Sequence, residues 1–241
     1  DGTVQATDGD LGASSSPNDR NAGAADDVNL ACGATAAARG EGSTALGYNA
    51  QAGFIDQALG RITGGGTAVG ANAVAHGNFG TALGYGARAG SYQLGSGVPD
   101  VALALGYSAV ATGQGGSAIG SEARAAGSYA VAIGGRAGAW AADSIAIGRT
   151  AAANALQSIA MAPGAEANGI NAIAMGAFAR AQAVDSMAMG AGSRATGINA
   201  LAIGAAALAL GEGAVAIGGD STSDANSEGA RAATYAVAVG T

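Results

Sequence analysis

Few residues in this chain could do chemistry, and their spacing does not bring them together. The only histidine is His76 and the only cysteine is Cys32. One imidazole cannot build the usual zinc site, and no Ser–His–Asp set with plausible partners stands near it. One thiol forms neither a disulfide framework nor a metal motif within a chain. Gly64-Gly65-Gly66 has the composition of a phosphate loop but not the strand-to-helix setting that such a loop needs. We therefore expect no catalytic residue, no metal ligand and no cofactor, and look for function in binding.

The rest of the chain is dominated by one period. Units closing at positions 33, 47, 70, 84, 106, 120, 134, 148, 162, 176, 190, 204, 218 and 240 are related by fourteen-residue steps, except three steps of 23, 22 and 22. Thirteen of the fourteen closing residues are Gly; the other is Ala162. A fixed period broken only by whole insertions predicts a solenoid with loops pushed out at an edge.

Each unit alternates. Two residues before the close is a column of Ala: Ala31, Ala45, Ala68, Ala82, Ala104, Ala118, Ala132, Ala146, Ala160, Ala174, Ala188, Ala202, Ala216 and Ala238. One residue before it stand Cys32, Leu46, Val69, Leu83, Leu105, Ile119, Ile133, Ile147, Met161, Met175, Met189, Ile203, Ile217 and Val239. Three before it, ten copies are large and apolar; Thr44, Thr67, Thr81 and Ser117 are not. Alternation over so short a run predicts a strand with two unlike faces. Small residues return three and five positions after the close, with polar ones such as Arg124, Glu166, Arg180 and Arg194 between them, which predicts a second strand, small side in. Helix is a poor competitor, because each Gly would cost it about 1 kcal/mol.

Stacked coils make parallel sheets with rungs about 4.8 Å apart, and fourteen rungs predict a rod of about 65 Å. Only Ala, Ser and Gly line the interior, so the two sheets must lie close. The closing Gly is expected at positive φ, with Gly164 taking that role where Ala162 closes the unit. Glu122 and Arg136, and Glu166 and Arg180, fall on neighbouring rungs as weak surface pairs; Arg180 and Arg194 share a column and should splay. His76 is expected on the surface, six residues past Gly70. Cys32 shares the Leu/Ile column and is expected to be a small core residue.

The Leu/Ile/Met columns lie outside each coil. Twenty-four such side chains make a stripe larger than a soluble monomer exposes. No run of eighteen apolar residues exists, so lipid does not cover it. We expect a second copy of the chain to do so, in a closed symmetric oligomer. The net charge of −7 is uneven: residues 1–27 carry −5 and the remainder −2. All ten basic residues are Arg, and no basic stripe suits nucleic acid or an anionic membrane. Residues 1–28 lack the repeat and are expected to form an irregular acidic cap; residues 29–241 form the roll, with insertions near 54–62, 92–99 and 220–229. The chain starts mid-pattern and lacks a signal peptide or anchor, so we expect those parts elsewhere in a longer protein.

Ser128-Tyr129-Ala130-Val131-Ala132-Ile133-Gly134 and Asp143-Ser144-Ile145-Ala146-Ile147-Gly148 resemble the head repeats of trimeric autotransporter adhesins, the YadA-like head. The resemblance covers roughly residues 29–241. It implies an all-β, left-handed parallel β-roll, a homotrimer, and display on a bacterial outer membrane through a stalk and β-barrel outside this chain. Our counting does not choose three chains over two, nor the hand of the roll.

The function so implied is attachment to host matrix or cell surfaces by multivalent, non-catalytic binding. The trimer interface is expected in the column from Leu46 to Val239, with Ala45 to Ala238 inside the roll. Phe54, Ile55, Leu59, Tyr92 and Leu94 in two insertions are the candidate ligand contacts, since such loops often carry function; the alternative is that they dock on the roll itself. A second reading is a structural fibre or spacer whose binding site lies elsewhere. An ice-binding array would need more aligned threonines than Thr44, Thr67 and Thr81.

Overall fold

The computed structural model describes residues 6–7, 10–11, 29–39, 42–56, 61–76, 78–90, 101–219 and 229–240. Every regular element among them is a strand. The chain divides into two compact units, residues 1–123 and 124–241.

Each unit is a parallel β-solenoid of fourteen-residue coils. A coil contributes a three-residue strand ending just before the closing residue, such as Ile145–Ile147, and a two-residue strand four residues past it, such as Ala152–Ala153. Equivalent strands pair in parallel and without slippage: Ile145 opposes Ile159, Ala146 opposes Ala160, and Ile147 opposes Met161. The register survives the insertions, because Leu46 pairs with Val69, Leu83 with Leu105, and Ile217 with Val239. An added loop therefore leaves the sheet and returns to it at the same side-chain phase, which a sheet with one buried face demands.

The interior is one methyl group deep on each side. Ala132, Ala146, Ala160, Ala174, Ala188, Ala202 and Ala216 are fully buried, as are Ala45, Ala68, Ala82, Ala104 and Ala118. Ala238, on the last rung described, is half-buried. The largest fully buried side chains are serines: Ser43, Ser144, Ser158, Ser186 and Ser193. Their hydroxyls are satisfied locally. Ser144, Ser158 and Ser186 Oγ donate to the carbonyls of Ala141, Ala155 and Ala183 at 2.6 Å, so these buried hydroxyls are paired within the thin core.

The corners are also stacked. Gly148 N–H donates to Ile133 C=O at 2.8 Å and Thr150 N–H to Gly135 C=O at 2.9 Å, both on the preceding coil. Turns thus join the ladder that strands usually form alone. This demands a fixed backbone at each corner, and three positions per coil take positive φ. They are the close (Gly148, 129°), the residue two past it (Thr150, 59°) and the residue nine past it (Gln157, 57°). A Cβ on Gly148 would sit 2.6 Å from the Ala162 carbonyl carbon, so close stacking as well as φ favours Gly there.

Ala162 corrects one expectation. Gly164 does sit at φ 69° behind Pro163, and Ala165 N–H closes the turn on Ala162 C=O at 3.2 Å. Ala162 nevertheless keeps φ 113° itself. Gly164 fills the ordinary second corner position; the ladder imposes the closing conformation on whatever residue stands there, at a cost for Ala of order 1–3 kcal/mol.

The first insertion is a β-hairpin. Phe54–Asp56 and Arg61–Thr63 pair antiparallel, Ile55 opposite Ile62. Leu59, Tyr92, Leu94, the insertion at 92–99 and residues 220–228 lie outside the described residues, as does most of 1–28. Within that lead-in, Ala6–Thr7 and Asp10–Leu11 pair antiparallel, and Leu11 pairs with Leu30 of the first coil.

Candidate functional site

Two surfaces wrap each coil, and the residue pattern decides their character. The outer face of the three-residue strands carries the apolar columns. Leu46, Val69, Leu83, Ile119, Ile147, Met161, Met189 and Ile203 are half-exposed, and Leu105, Ile133, Met175, Ile217 and Val239 are exposed. Cys32 is exposed in the same column: alternation turns it away from the methyl layer with its Leu and Ile neighbours.

In the second unit this face forms an open groove of ≈ 780 Å³ lined by Ile147, Met161, Met175, Met189 and Ile203 and floored by the closing residues 148 to 204. All four methionines of the chain, the fourth being Met187, lie on these rungs. Thioether side chains fill irregular gaps readily, which suits a contact surface.

The outer face of the two-residue strands is polar. Arg180 Nη2 donates to Glu166 Oε1 at 3.4 Å, and both groups are well exposed, so the pair contributes little to stability. Arg180 and Arg194 are register neighbours and both exposed. Asn154 Nδ2 donates to Asn168 Oδ1 at 2.6 Å, a side-chain rung parallel to the backbone ladder. Glu122 and Arg136 stand at the corners rather than on this strand, at φ 58° and 59°. In the first unit, Tyr85 and Tyr107 stack at 5.6 Å with nearly parallel rings, each one residue past a closing Gly.

His76 is half-buried rather than fully on the surface. Burial holds its pKa below the ordinary 6.5, and the guanidinium charges of Arg88 and Arg39 lower it further. No group of three or more His, Cys, Asp or Glu residues that could hold a metal ion occurs among the described residues. No helix there is long and apolar enough to cross a membrane, which says nothing of a β-barrel.

Column counting on the strands overlooked one feature. Eight residues past the close, in a turn where Ser128, Ala142 and Glu212 also stand, four successive coils carry Leu156, Ile170, Val184 and Ile198. Their exposures are 42%, 44%, 38% and 49%, so they form an apolar ridge along one edge. The signal was available: they are fourteen residues apart.

No curated protein matches the chain. The YadA head domain repeat (two copies) matches residues 31–52, 65–87, 102–123, 111–137, 138–161, 167–193 and 195–221. The unmatched stretches 53–64 and 88–101 contain the first two insertions, which is where the period breaks. With matches over most of its length, and with the coil geometry that the repeat predicts, the chain belongs to the YadA head family.

Proposed function

We propose that this chain is the head segment of a trimeric bacterial surface adhesin that attaches to host matrix or cell-surface molecules by many weak, non-catalytic contacts. The observation that carries this reading is the apolar outer face on rungs of a family-matched roll. A face of that length is too large to leave in water, and a symmetric homo-oligomer buries it. Assembly in turn presents the polar strands and corners in several identical copies. Linked copies gain apparent affinity without new contacts, which lets shallow polar surfaces bind usefully. The localisation we assign is the outside of the bacterial outer membrane.

Two measurements test the reading. Sedimentation equilibrium over a dilution series should give a mass three times that of the chain; a persistent monomer overturns the assembly. Binding of the purified assembly to immobilised matrix proteins and to cultured cells tests adhesion. A stable trimer that binds none of them replaces the adhesin by a spacer segment.

A further inference from the structure

The ridge and the groove of the second unit lie on the same rungs. Leu156 leads into the strand that ends at Met161, Ile170 into that ending at Met175, Val184 into that ending at Met189, and Ile198 into that ending at Ile203. The ridge stands at the start edge of this sheet, and the groove runs along its end edge beside the closing residues. One rung earlier, Asp143 stands at the start edge and Arg149 at the end edge. Both are exposed, and no ion pair joins either to another described residue.

Rotation about an axis parallel to the stack moves no residue up or down. In an assembly with such an axis, each rung meets the same rung of the neighbouring copy, with start edge against end edge. We propose that the Leu156–Ile170–Val184–Ile198 ridge of one copy seats along the Ile147–Ile203 groove of the next, with Asp143 facing Arg149. Such a contact is heterologous and repeats around the axis until the ring closes. The occupant is a second copy because the ridge is apolar on the four rungs whose edge needs covering, and the one charge pair is complementary at one height. This rests on the assembly proposed above and adds which edges meet.

The test uses the full chain with Cys32→Ser, co-expressed in two tagged forms. One carries Ile170→Cys and the other Met175→Cys. The expected result under mild oxidation is a disulfide between differently tagged chains. Ile198→Cys with Met161→Cys, three rungs out of step or about 14 Å, should give none. An assembly of full mass that forms no rung-matched disulfide overturns the ridge-and-groove contact and leaves the assembly standing. A parent chain that sediments as a monomer removes both. As a second measurement, Asp143→Arg and Arg149→Asp should each speed dissociation about tenfold, and the double exchange should restore it. Single variants that dissociate no faster than the parent also overturn the contact.

Discussion

The two units share an interior and differ outside. Both stack fully buried Ala columns at the same register, and both take positive φ at equivalent corners. Yet three residues before the close, the first unit has Leu30, Thr44, Thr67, Thr81, Leu103 and Ser117, whereas the second has only Val, Ile, Met and Leu from Val131 to Val237. At the edge, the first unit shows Gly64, Asn78 and Gln114 where the second raises its apolar ridge. The first unit instead holds the Tyr85–Tyr107 stack and the hairpin of its first insertion. The methyl layer and the stacked corners specify the coil, and that leaves the outward columns free to serve partners.

Enlarging the interior should hurt both units alike. Ala82→Leu and Ala174→Leu each add bulk to a layer one methyl thick, and each should cost about 3 kcal/mol or more by chemical denaturation. A variant tolerated in one unit but not the other would break the claim that they share one core logic.

Exchanging outer columns should change association and spare the roll. Ile159→Thr with Ile173→Thr gives the second unit the face of the first, and should weaken self-association by about 1–2 kcal/mol per site while leaving the far-ultraviolet spectrum unchanged. Thr67→Ile with Thr81→Ile should strengthen it. Equal affinities for both variants and the parent would mean that this face is not the interface.

Ala162 offers a single-residue contrast with the other closing positions. Ala162→Gly removes strain at φ 113° and should stabilise by about 1 kcal/mol. Gly176→Ala introduces the strain, and its Cβ would meet the Gly190 backbone at 2.5 Å, so it should destabilise by more than that. Thermal melts of the two variants give the comparison directly.

The smallest expected effect separates the units by pH. His76 is the only histidine, and its folded pKa lies below 6.5. The unfolded chain therefore takes up the proton first. Stability is full above pH 6.5 and falls as pH drops from there through the folded pKa. Hydrogen exchange between about pH 8 and pH 5 should show coils near His76 opening more at the acid end, and His76→Gln should remove the difference. Coils of the second unit should show no histidine-dependent change.

The period, the Ala column and the apolar columns are properties of single positions in a repeating unit. Alternation alone then fixes strands with one small face and one large, and equal spacing fixes parallel pairing in register. The roll, and the outward turn of residues such as Leu105 and Met175, follow from the sequence for that reason. Other features depend on contacts between coils. Because corner amides bond to the preceding coil, the chain imposes left-handed φ on Thr150 and Gln157, residues with no intrinsic preference for it, and holds Ala162 where Gly would be easier. The half-burial of His76 between Arg39 and Arg88 arises between rungs, not along the chain. The hairpin at 54–63 required the pairing of Ile55 with Ile62, which no fourteen-residue count contains. The ridge was present in the sequence, but its meaning needed the groove: only stacking lines Ile147, Met161, Met175, Met189 and Ile203 into one apolar channel on the rungs beside the ridge. Sequence determined what repeats, because repetition is local. Tertiary structure decided what each repeat meets, because stacking brings residues fourteen apart into contact.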